Sequence, residues 1–323
     1  MASTVSLIVR CFNEEAHIGR LLTGAQRQTR PPDEVVVVDS GSTDATLSIA
    51  AAFGVKVVHV RPGTFSFGGA LNRGIEAASG DVCVFASAHV YPVYDTWIEH
   101  LVEPLEEDDA VALSYGRQVI PAHGQFSEGR LLEQWFPQTS NPRQRDPFCN
   151  NANAAIRREV WRDLPYDEDL TGLEDLDWAK RAIDRGHTLA YRADAPIVHV
   201  HEETFGQIVN RYRREAIAHK AIYDDQEMNA AHAARLAVQN VVLDALAARR
   251  QGVLRSEARG IVRFRLGQFY GAYRGFRQHG PVSQLLRWRF YYPPKAAGGP
   301  SRDGHDIIGN IINYDELPSE DRA

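Results

Sequence analysis

A histidine follows a predicted buried strand, at the place where a ligand of an open α/β sheet would lie. The run Val82 to Ala86 is apolar and rich in β-branched and aromatic residues, which predicts a strand covered on both faces. The triplet Ser87-Ala88-His89 comes next, and Pro92 is expected to end any extension. Ligands of such sheets bind beyond the carboxyl ends of the strands. His89 therefore has two possible roles. It either binds a metal or takes up a proton, or it is a histidine of a surface loop without a function.

Polar residues also follow two other predicted strands. The strand Val5 to Arg10 leads into Cys11-Phe12-Asn13-Glu14-Glu15, and the strand Glu34 to Asp39 leads into Ser40-Gly41-Ser42-Thr43-Asp44. An aspartate at a strand end can accept a hydrogen bond from the ring NH of a nucleotide base. The same aspartates are equally suited to capping turns and helices, so the spacing leaves both roles open.

Three carboxylates stand at the start of a helix predicted over Leu173 to Asp184. Glu174 and Asp177 share one helix face, while Asp175 points elsewhere. The helix macrodipole stabilises a carboxylate in this first turn, and solvent exposure explains Asp177 as well as chemistry does. If the helix start faces the cleft, Asp175 can serve as a general base.

Two further motifs are suited to charged ligands. In Ile197-Val198-His199-Val200-His201, alternation places both histidines on one strand face with metal-ligand spacing, as it would in an exposed histidine pair. In the glycine-rich loop Gly63 to Gly74, backbone NH groups and a helix start can hold a phosphate, although loop packing explains the glycines equally well.

Strand and helix alternate from Val5 to the run at Val82. This rhythm predicts an α/β fold with a Rossmann-like, mostly parallel sheet flanked by helices. Beyond Pro92 the rhythm loosens, and Pro121 to Asp146 is expected to be irregular apart from a short helix around Leu131 to Phe136. The short strands predicted in this second half are Asn151–Ile156, Thr188–Tyr191 and Ile197–His201.

Charge divides the chain into unequal regions. We expect a sheet domain over 1–204, a basic helical region over 205–300 and a polar tail over 301–323. The middle region carries 16 Lys and Arg against six Asp and Glu, whereas the whole chain has a formal net charge of −6. Thr204 to about Arg249 reads as one helical stretch, and Leu254 to Gln278 as a basic, aromatic helix.

The composition is that of a globular protein, with 44% hydrophobic and 24% charged residues. Cys11, Cys83 and Cys149 are far apart and lack CxxC spacing, which is typical of free thiols in a reducing, cytoplasmic compartment. The first residues do not resemble a signal peptide, and no stretch approaches the ~20 apolar residues of a membrane span.

Taken in order, the motifs resemble a known family. They are Asn13-Glu14-Glu15, Asp39-Ser-Gly-Ser-Thr-Asp44, Asn72-Arg73-Gly74, Gly80-Asp81, the triplet Ser87-Ala88-His89 and Glu174-Asp175. This ordered set resembles the inverting family 2 glycosyltransferases of GT-A fold, over about Val5 to Lys220. The stretch from His199 to Lys220, with Phe205, Tyr212 and Arg213 on its helix, is most similar to the bacterial rhamnosyltransferase-type branch.

The resemblance implies that a sugar is transferred from a UDP- or dTDP-sugar to an acceptor hydroxyl of a bacterial polysaccharide or glycolipid. Asp175 is the implied catalytic base, with Glu174 beside it, and the reaction is a single in-line displacement. The implied nucleotide- and donor-binding residues are Cys11, Asn13, Glu14, Asp39, Ser40, Asn72, Arg73, Ser87, Ala88, Asn151 and Asn153.

One motif departs from the family pattern. The family's DxD triplet, which holds the diphosphate–metal complex, is here Ser87-Ala88-His89 and lacks both carboxylates. With His199 and His201, His89 is the implied metal site, and Mn²⁺ is favoured over Mg²⁺ because it accepts nitrogen ligands better. Without a metal, Arg73, His89 and helix-end amides must offset the leaving-group charge. The missing carboxylates leave open a non-catalytic protein that only binds sugar nucleotides.

The basic helix predicted over Leu254 to Gln278 allows two interpretations. Its arginines suit an anionic membrane surface, on the inner face of the cytoplasmic membrane, where a lipid-linked acceptor is presented. Alternatively, its apolar stripe packs on the sheet domain or on a second subunit in a homodimer. Nucleic acid is not expected, because the chain is acidic overall and matches no reader motif. The arginines are Arg259, Arg263, Arg274 and Arg277, and the stripe is Val262, Leu266, Phe269, Tyr273 and Phe276.

Overall fold

A computed structural model describes residues 2–61, 63–223, 226–280, 282–283, 286, 291 and 311–314. Its strands are β1 Val5–Cys11, β2 Glu34–Asp39, β3 Lys56–His59, β4 Val82–Ser87, β5 Val90–Pro92, β6 Val111–Val119, β7 Asn141–Gln144, β8 Asn153–Arg157 and β9 Thr188–His199. Its helices are α1 Ile18–Gln26, α2 Thr46–Ala51, α3 Phe67–Ala77, α4 Trp97–Glu107, α5 Phe126–Trp135, α6 Arg158–Asp163, α7 Glu174–Asp184, α8 Phe205–Ile222, α9 Ala230–Arg250 and α10 Leu254–Phe276.

The strands form one sheet in the order β3-β2-β1-β4-β8-β6-β9-β5, with β7 pairing with β9. The first four strands of this order are parallel, and β8 enters antiparallel between β4 and β6. The sheet is therefore parallel on one side and mixed on the other. The expected α/β class, with helices flanking a Rossmann-like sheet, is confirmed.

Alternation along the strands builds two apolar layers. Leu7 and Val9 face the layer that contains Trp97, whereas Ile8 faces the opposite layer with Phe85. All five side chains are fully buried. Burial of both sheet faces explains why these strands read as continuous apolar runs.

Several strands end at the same edge of the sheet. β1, β2 and β4 are parallel, and β6 is parallel to β9. Because β8 is antiparallel to both β4 and β6, the two sets run in one direction. The ends of these strands at Cys11, Asp39, Ser87, Val119 and His199 therefore gather at one carboxyl edge, where ligands of such sheets bind.

The structure differs from the predicted elements beyond Ser87. Pro92 ends the extension as expected, but the residues just before it form a short edge strand that was not predicted, β5 Val90–Pro92, paired antiparallel with β9. Proline is tolerated there because an edge strand leaves one side of its backbone unpaired. The two short strands predicted near His199 are one strand, β9, and the stretch expected to be irregular contains β7. The single helical stretch predicted before Arg249 is two helices, α8 and α9.

Three glycines on one face of α10 allow it to pack closely on α8. Gly267, Gly271 and Gly275 recur every four residues, and all are buried. A Cβ added at Gly271 would lie 2.5 Å from the carbonyl oxygen of Val209, and one at Gly275 would lie 2.5 Å from that of Arg213. The two helices therefore meet backbone to backbone, with no long side chains between them.

This packing turns part of the predicted apolar stripe of α10 outward. Val262 and Leu266 are 43% and 49% exposed, while Ile261 and Phe264 are buried instead. The alternative in which the whole stripe packs on the sheet domain is therefore wrong for Val262 and Leu266. None of the helices in the described part of the chain is long and apolar enough to cross a membrane.

A short piece of the predicted polar tail packs against the sheet domain. Ile312 is buried, and its NH donates to the carbonyl oxygen of Val93 at 3.2 Å. The hydroxyl of Tyr314 donates to the carbonyl oxygen of Pro92 at 2.9 Å. The expectation that the tail lacks any core contact is wrong for these residues; the remainder of the tail lies outside the described residues.

Candidate active site

Asp175 lies in the first turn of α7, at the carboxyl edge of the sheet. One of its carboxylate oxygens accepts the backbone NH of Asn151 at 3.3 Å and the other that of Leu176 at 2.9 Å. Burial, together with the charge of Glu174, raises the pKa of Asp175 to about 7. A carboxylate with this pKa can accept a proton near neutral pH, as a general base requires.

Glu174 is held differently. Its carboxylate forms an ion pair with Arg10 at 3.0 Å, and both side chains are largely buried. The guanidinium of Arg10 also lies over the ring of Phe67, 5.1 Å from its centroid. Glu174 therefore ties α7 to the end of β1, and Asp175 is the carboxylate of the pair without a cationic partner in the described chain.

Three histidines converge at the same carboxyl edge of the sheet. One ring nitrogen each of His89, His199 and His201 lies within 4.8 Å of those of the other two. The unpredicted strand β5 brings them together, because Val90 pairs with His199 and the carbonyl oxygen of His89 accepts the NH of Val200 at 3.1 Å. This geometry is compatible with a metal site, and the Nε2 atom of His199 is buried without a hydrogen-bond partner.

Each of these histidines is hydrogen-bonded through Nδ1. The partners are Glu14 for His89 at 2.7 Å, Gln118 for His199 at 2.7 Å and Glu128 for His201 at 2.8 Å. Burial lowers the pKa of His199 well below its usual value, and the neighbouring histidines add to this.

The carboxylates of Glu14 and Glu128 hold the other two imidazoles. Burial works against the imidazolium of His89, but the charge and hydrogen bond of Glu14 outweigh it and raise the pKa of His89. Burial also works against ionisation of Glu128, but His201 and Arg211 outweigh it and lower the pKa of Glu128 to about 2. Glu14, which is predicted to contact the nucleotide, also supports a histidine.

The loops after β1 and β2 are joined to each other. The Oδ1 atom of Asn13 accepts the NH of Thr43 at 2.8 Å, and the NH of Asn13 donates to Ser42 Oγ at 2.9 Å. Asn13 has a φ of 56°, a left-handed conformation that asparagine tolerates. The buried carboxylate of Asp39 accepts the backbone NH groups of Gly41 and Ser42. The turn-capping alternative for Asp39 is thus what the structure displays, although a carboxylate has lone pairs for a further donor.

The other predicted residues of this region lie at the same edge. Cys11 is buried at the end of β1, with Sγ 3.8 Å from Asp39 Oδ1. Ser40 Oγ donates to the carbonyl oxygen of Cys11 at 3.2 Å. Ser87 is half-buried at the end of β4, and the NH of the buried Ala88 donates to the carbonyl oxygen of Arg10. All three cysteines are free and buried, as expected.

Two predicted donor ligands have amides that the protein itself occupies. Asn72 donates to the carbonyl oxygen of Tyr166 and to Glu168, and accepts from Trp161 Nε1 and from the NH of Tyr166. Asn153, fully buried, accepts from Trp97 and donates to two backbone carbonyl oxygens. We therefore propose structural roles for both, in place of the predicted donor contacts.

Asn151 and Arg73 keep unused hydrogen-bonding capacity. Asn151 is 1% exposed and accepts the hydroxyl of Tyr166, but its Nδ2 has no hydrogen-bond partner among the described residues. Arg73 is half-buried, and no hydrogen bond or ion pair joins it to another described residue. Both remain predicted ligands.

Sequence reasoning missed Gln118 and Glu128, which hold two of the histidines. Gln118 lies on β6. Glu128 lies on α5, within the stretch Pro121 to Asp146 that was expected to be largely irregular. Only the pairing of β6 with β9 brings Gln118 to His199, and single-sequence patterns do not reveal such pairing. The apolar, β-prone residues at 90 and 91 were the one signal that could have predicted β5.

Comparison with known proteins identifies the family. A family model, "Glycosyl transferase family 2", matches residues 6–164. An O-antigen chain rhamnosyltransferase of Salmonella anatum, WbaN, is 30% identical over 227 residues, which cover 66% of this chain and 71% of that protein. The chain belongs to glycosyl transferase family 2. As a family 2 glycosyltransferase it has a second rhamnosyltransferase relative, RfbN of Salmonella typhimurium, 25% identical over 67% of this chain and 72% of that protein.

Solved structures show the same fold. Glucosyl-3-phosphoglycerate synthase from Mycobacterium tuberculosis, in complex with Mn²⁺, UDP and glucosyl-3-phosphoglycerate, superposes with a TM-score of 0.52 at 22% identity. The match covers 70% of this chain and 81% of that one. The predicted GT-A fold of this family 2 glycosyltransferase is confirmed.

Proposed function

We propose that this protein is an inverting glycosyltransferase that moves a sugar from a nucleoside-diphosphate sugar to an acceptor hydroxyl. The observation that carries the proposal is Asp175, a carboxylate at the sheet edge whose pKa is raised to about 7. A base poised near the working pH combines a useful ionised fraction with a strong driving force for proton transfer.

The chemistry is a single displacement. Asp175 removes the proton from the acceptor hydroxyl, the oxygen forms a bond to the anomeric carbon, and the nucleoside diphosphate leaves with the electrons of the broken bond. Glu174, tied to Arg10, positions the start of α7. The unpartnered amide of Asn151, beside Asp175, is placed to donate to a hydroxyl of the sugar or acceptor.

We infer that the nucleotide lies over the loops after β1 and β2, where Asn13, Asp39 and Ser40 meet. The half-buried Arg73 offsets charge on the diphosphate, and Ser87 and Ala88 line its path. The three histidines fit a divalent metal, since one buried Nε2 has no other partner, and Mn²⁺ is favoured over Mg²⁺. Such a metal would stabilise negative charge on the leaving diphosphate.

The relatives support a polysaccharide acceptor. Two are O-antigen chain rhamnosyltransferases, so we propose a bacterial polysaccharide or glycolipid acceptor and a UDP- or dTDP-linked donor. We therefore propose that the enzyme works in the cytoplasm, where sugar nucleotides are made, or on the inner face of the cytoplasmic membrane.

We also propose that the enzyme touches an anionic membrane through α9 and α10. Large apolar side chains on both helices are exposed, including Val242 and Leu266 at 51% and 49%. Exposed arginines flank them, among them Arg259, Arg263, Arg274 and Arg277. Apolar side chains among basic ones are typical of interfacial helices, and a lipid-linked acceptor would be presented there. The alternative to membrane contact is that these helix faces pair with those of a second copy in a homodimer.

A screen of nucleotide sugars with divalent metals tests the proposed function. A donor that binds raises the unfolding temperature in a thermal-shift plate, because a ligand that binds the native state stabilises it. The donors selected are then assayed for release of nucleoside diphosphate, with Mn²⁺ and with EDTA. Release of nucleoside diphosphate supports the proposal; if no UDP- or dTDP-sugar shifts the unfolding temperature or is turned over, the proposal is wrong.

A further inference from the structure

The three histidines share one pattern of hydrogen bonding. In each, Nδ1 faces an oxygen that only accepts hydrogen bonds: a carboxylate for His89 and His201, and the amide oxygen of Gln118 for His199. A neutral imidazole carries its proton on one nitrogen and a lone pair on the other. In the neutral form that binds a metal, the Nδ1 bonds therefore place the proton on Nδ1 and leave the lone pair on Nε2.

Metal-binding histidines in proteins have the same arrangement. They almost always donate their second ring NH to a carboxylate or carbonyl oxygen, which fixes the ring and makes the free nitrogen a better ligand. Here the three acceptors come from three different elements: the loop after β1, β6 and α5. Such convergence of separate elements on three rings is not expected of an idle histidine cluster.

The orphaned nitrogen of His199 points to a ligand. His199 is 7% exposed, and its Nε2 has no hydrogen-bond partner. A buried polar atom left unpaired costs about 1–3 kcal/mol. One ring nitrogen of each of the three histidines lies within 4.8 Å of the others, which is close enough for the cluster to share one ion.

We propose that His89, His199 and His201 bind one Zn²⁺ through their Nε2 atoms, in preference to Mn²⁺ and Mg²⁺. Imidazole suits zinc and the later transition metals, whereas Mg²⁺ prefers oxygen ligands and Mn²⁺ is the weakest binder of its series. Three histidines that leave a position open are an established ligand set for zinc. Glu14, Gln118 and Glu128 are the positioning residues.

This proposal rests on the metal site of the proposed function but not on transfer itself. Neutral ligands leave the full charge of the ion in place, and the open position is available to an oxygen of an anionic ligand. The ligand set is thus matched to a nucleoside diphosphate by charge, although it lacks the family's carboxylates.

Competitive metal binding tests the preference. The full-length chain is stripped with EDTA, dialysed against equal concentrations of Zn²⁺, Mn²⁺ and Mg²⁺, and its metal content is measured by elemental analysis. We expect about one zinc per chain and almost no manganese or magnesium. Preferential binding of manganese or magnesium, or no bound zinc, would overturn the proposal.

Variants locate the ion. His201→Asn is expected to lose the bound zinc, whereas His123→Asn, which changes an exposed histidine outside the cluster, keeps it. In Co²⁺-loaded protein, His201→Asn is expected to lose the visible absorption of low-coordinate cobalt. Equal zinc content in both variants would place the ion elsewhere and overturn the assignment.

Gln118 tests the positioning role without touching a ligand. Gln118→Leu removes the acceptor at similar size and is expected to weaken zinc binding by about 10–100-fold. Gln118→Glu retains an acceptor oxygen and is expected to restore it. Unchanged zinc affinity in Gln118→Leu would show that the hydrogen bond does not position His199. Because no sugar donor is present, a failed transfer assay leaves these outcomes unaffected, and a failed metal assay leaves the transfer proposal standing.

Discussion

The two halves of the candidate site differ in how their buried polar groups are satisfied. In the described part of residues 2–116, no buried side-chain nitrogen or oxygen lacks a hydrogen-bond partner. The half that follows contains several such atoms, including Gln118 Nε2, Asn151 Nδ2 and His199 Nε2. Both halves meet at the same carboxyl edge of the sheet.

This difference separates side chains whose polar atoms are all used within the protein from side chains that keep an unpaired nitrogen. Asn72 and Asp39 use their polar atoms to hold the loops of the first half in place. Asn151 and His199 are positioned equally firmly, but one nitrogen of each has no hydrogen-bond partner. Because unpaired buried groups are costly, proteins keep them mainly where a ligand, an ion or water completes them.

The largest expected effect comes from the base in the second half. Asp175→Asn keeps the shape of the side chain but cannot accept the proton, so we expect transfer to fall by about 10²–10⁴-fold. Donor affinity should stay close to that of the unchanged protein. The measurement is release of nucleoside diphosphate in the presence of acceptor, alongside donor binding by calorimetry.

Asp177→Asn is the matched control. Asp177 lies in the same helical turn but pairs with Arg181 at 2.7 Å, away from the proposed base. This variant should retain most of the activity. Near-normal turnover in Asp175→Asn would move the base role to another residue.

The pH dependence sharpens the same point. Burial and Glu174 raise the pKa of Asp175 to about 7, and only its ionised form accepts a proton. The kcat/KM of transfer, which reports the pKa values of the free enzyme, should therefore fall about tenfold per pH unit below that pKa and level off above it. A rate profile that is flat between pH 5 and 7, with the protein folded throughout, would contradict the assignment.

Replacing one asparagine in each half tests the comparison directly. Asn72→Ala leaves buried partners such as Trp161 Nε1 unpaired, each costing about 1–3 kcal/mol, so the free energy of unfolding should fall markedly. Asn151→Ala leaves a single buried partner unpaired, the hydroxyl of Tyr166, and should cost about 1–3 kcal/mol in all, less than Asn72→Ala, while impairing turnover. Denaturant unfolding and initial rates measure the two effects. The opposite ranking in stability would refute the division between the halves.

The smallest expected effect concerns membrane binding by the exposed face of α10. Leu266→Asp places a negative charge on the exposed side of α10. This charge opposes the attraction of the exposed arginines, each worth about 1 kcal/mol at an anionic surface, so sedimentation with phosphatidylglycerol vesicles should fall. Val57→Asp, at an exposed valine on β3, is the control. If the unchanged protein sediments equally with phosphatidylcholine vesicles, or not at all, the membrane proposal fails, and ultracentrifugation then tests the dimer.

Sequence reasoning predicted the parallel half of the fold well. The β-branched runs at β1, β2 and β4 are buried on both faces, so burial and local preference favour the same structure there. It failed where an edge strand or a helix interruption is decided by tertiary contacts, as at β5 and between α8 and α9.

The candidate site was predictable in part, for a related reason. Asp175 and His89 stand at the ends of elements that local patterns predict. Whether a polar side chain is free to bind a ligand depends on partners far away in the chain. Asn72 is held by residues 89 to 96 positions later, and His199 by Gln118, which is 81 positions earlier. No local pattern contains that information.

The glycine face of α10 has a mechanical consequence. Because α10 meets α8 backbone to backbone at Gly271, little compressible side-chain volume lies between them to absorb a displacement. α8 begins four residues after His201, and its Arg211 binds the same carboxylate that holds this histidine, Glu128, at 2.9 Å. A push on the outer helix would therefore be transmitted as a rigid displacement to the histidine cluster.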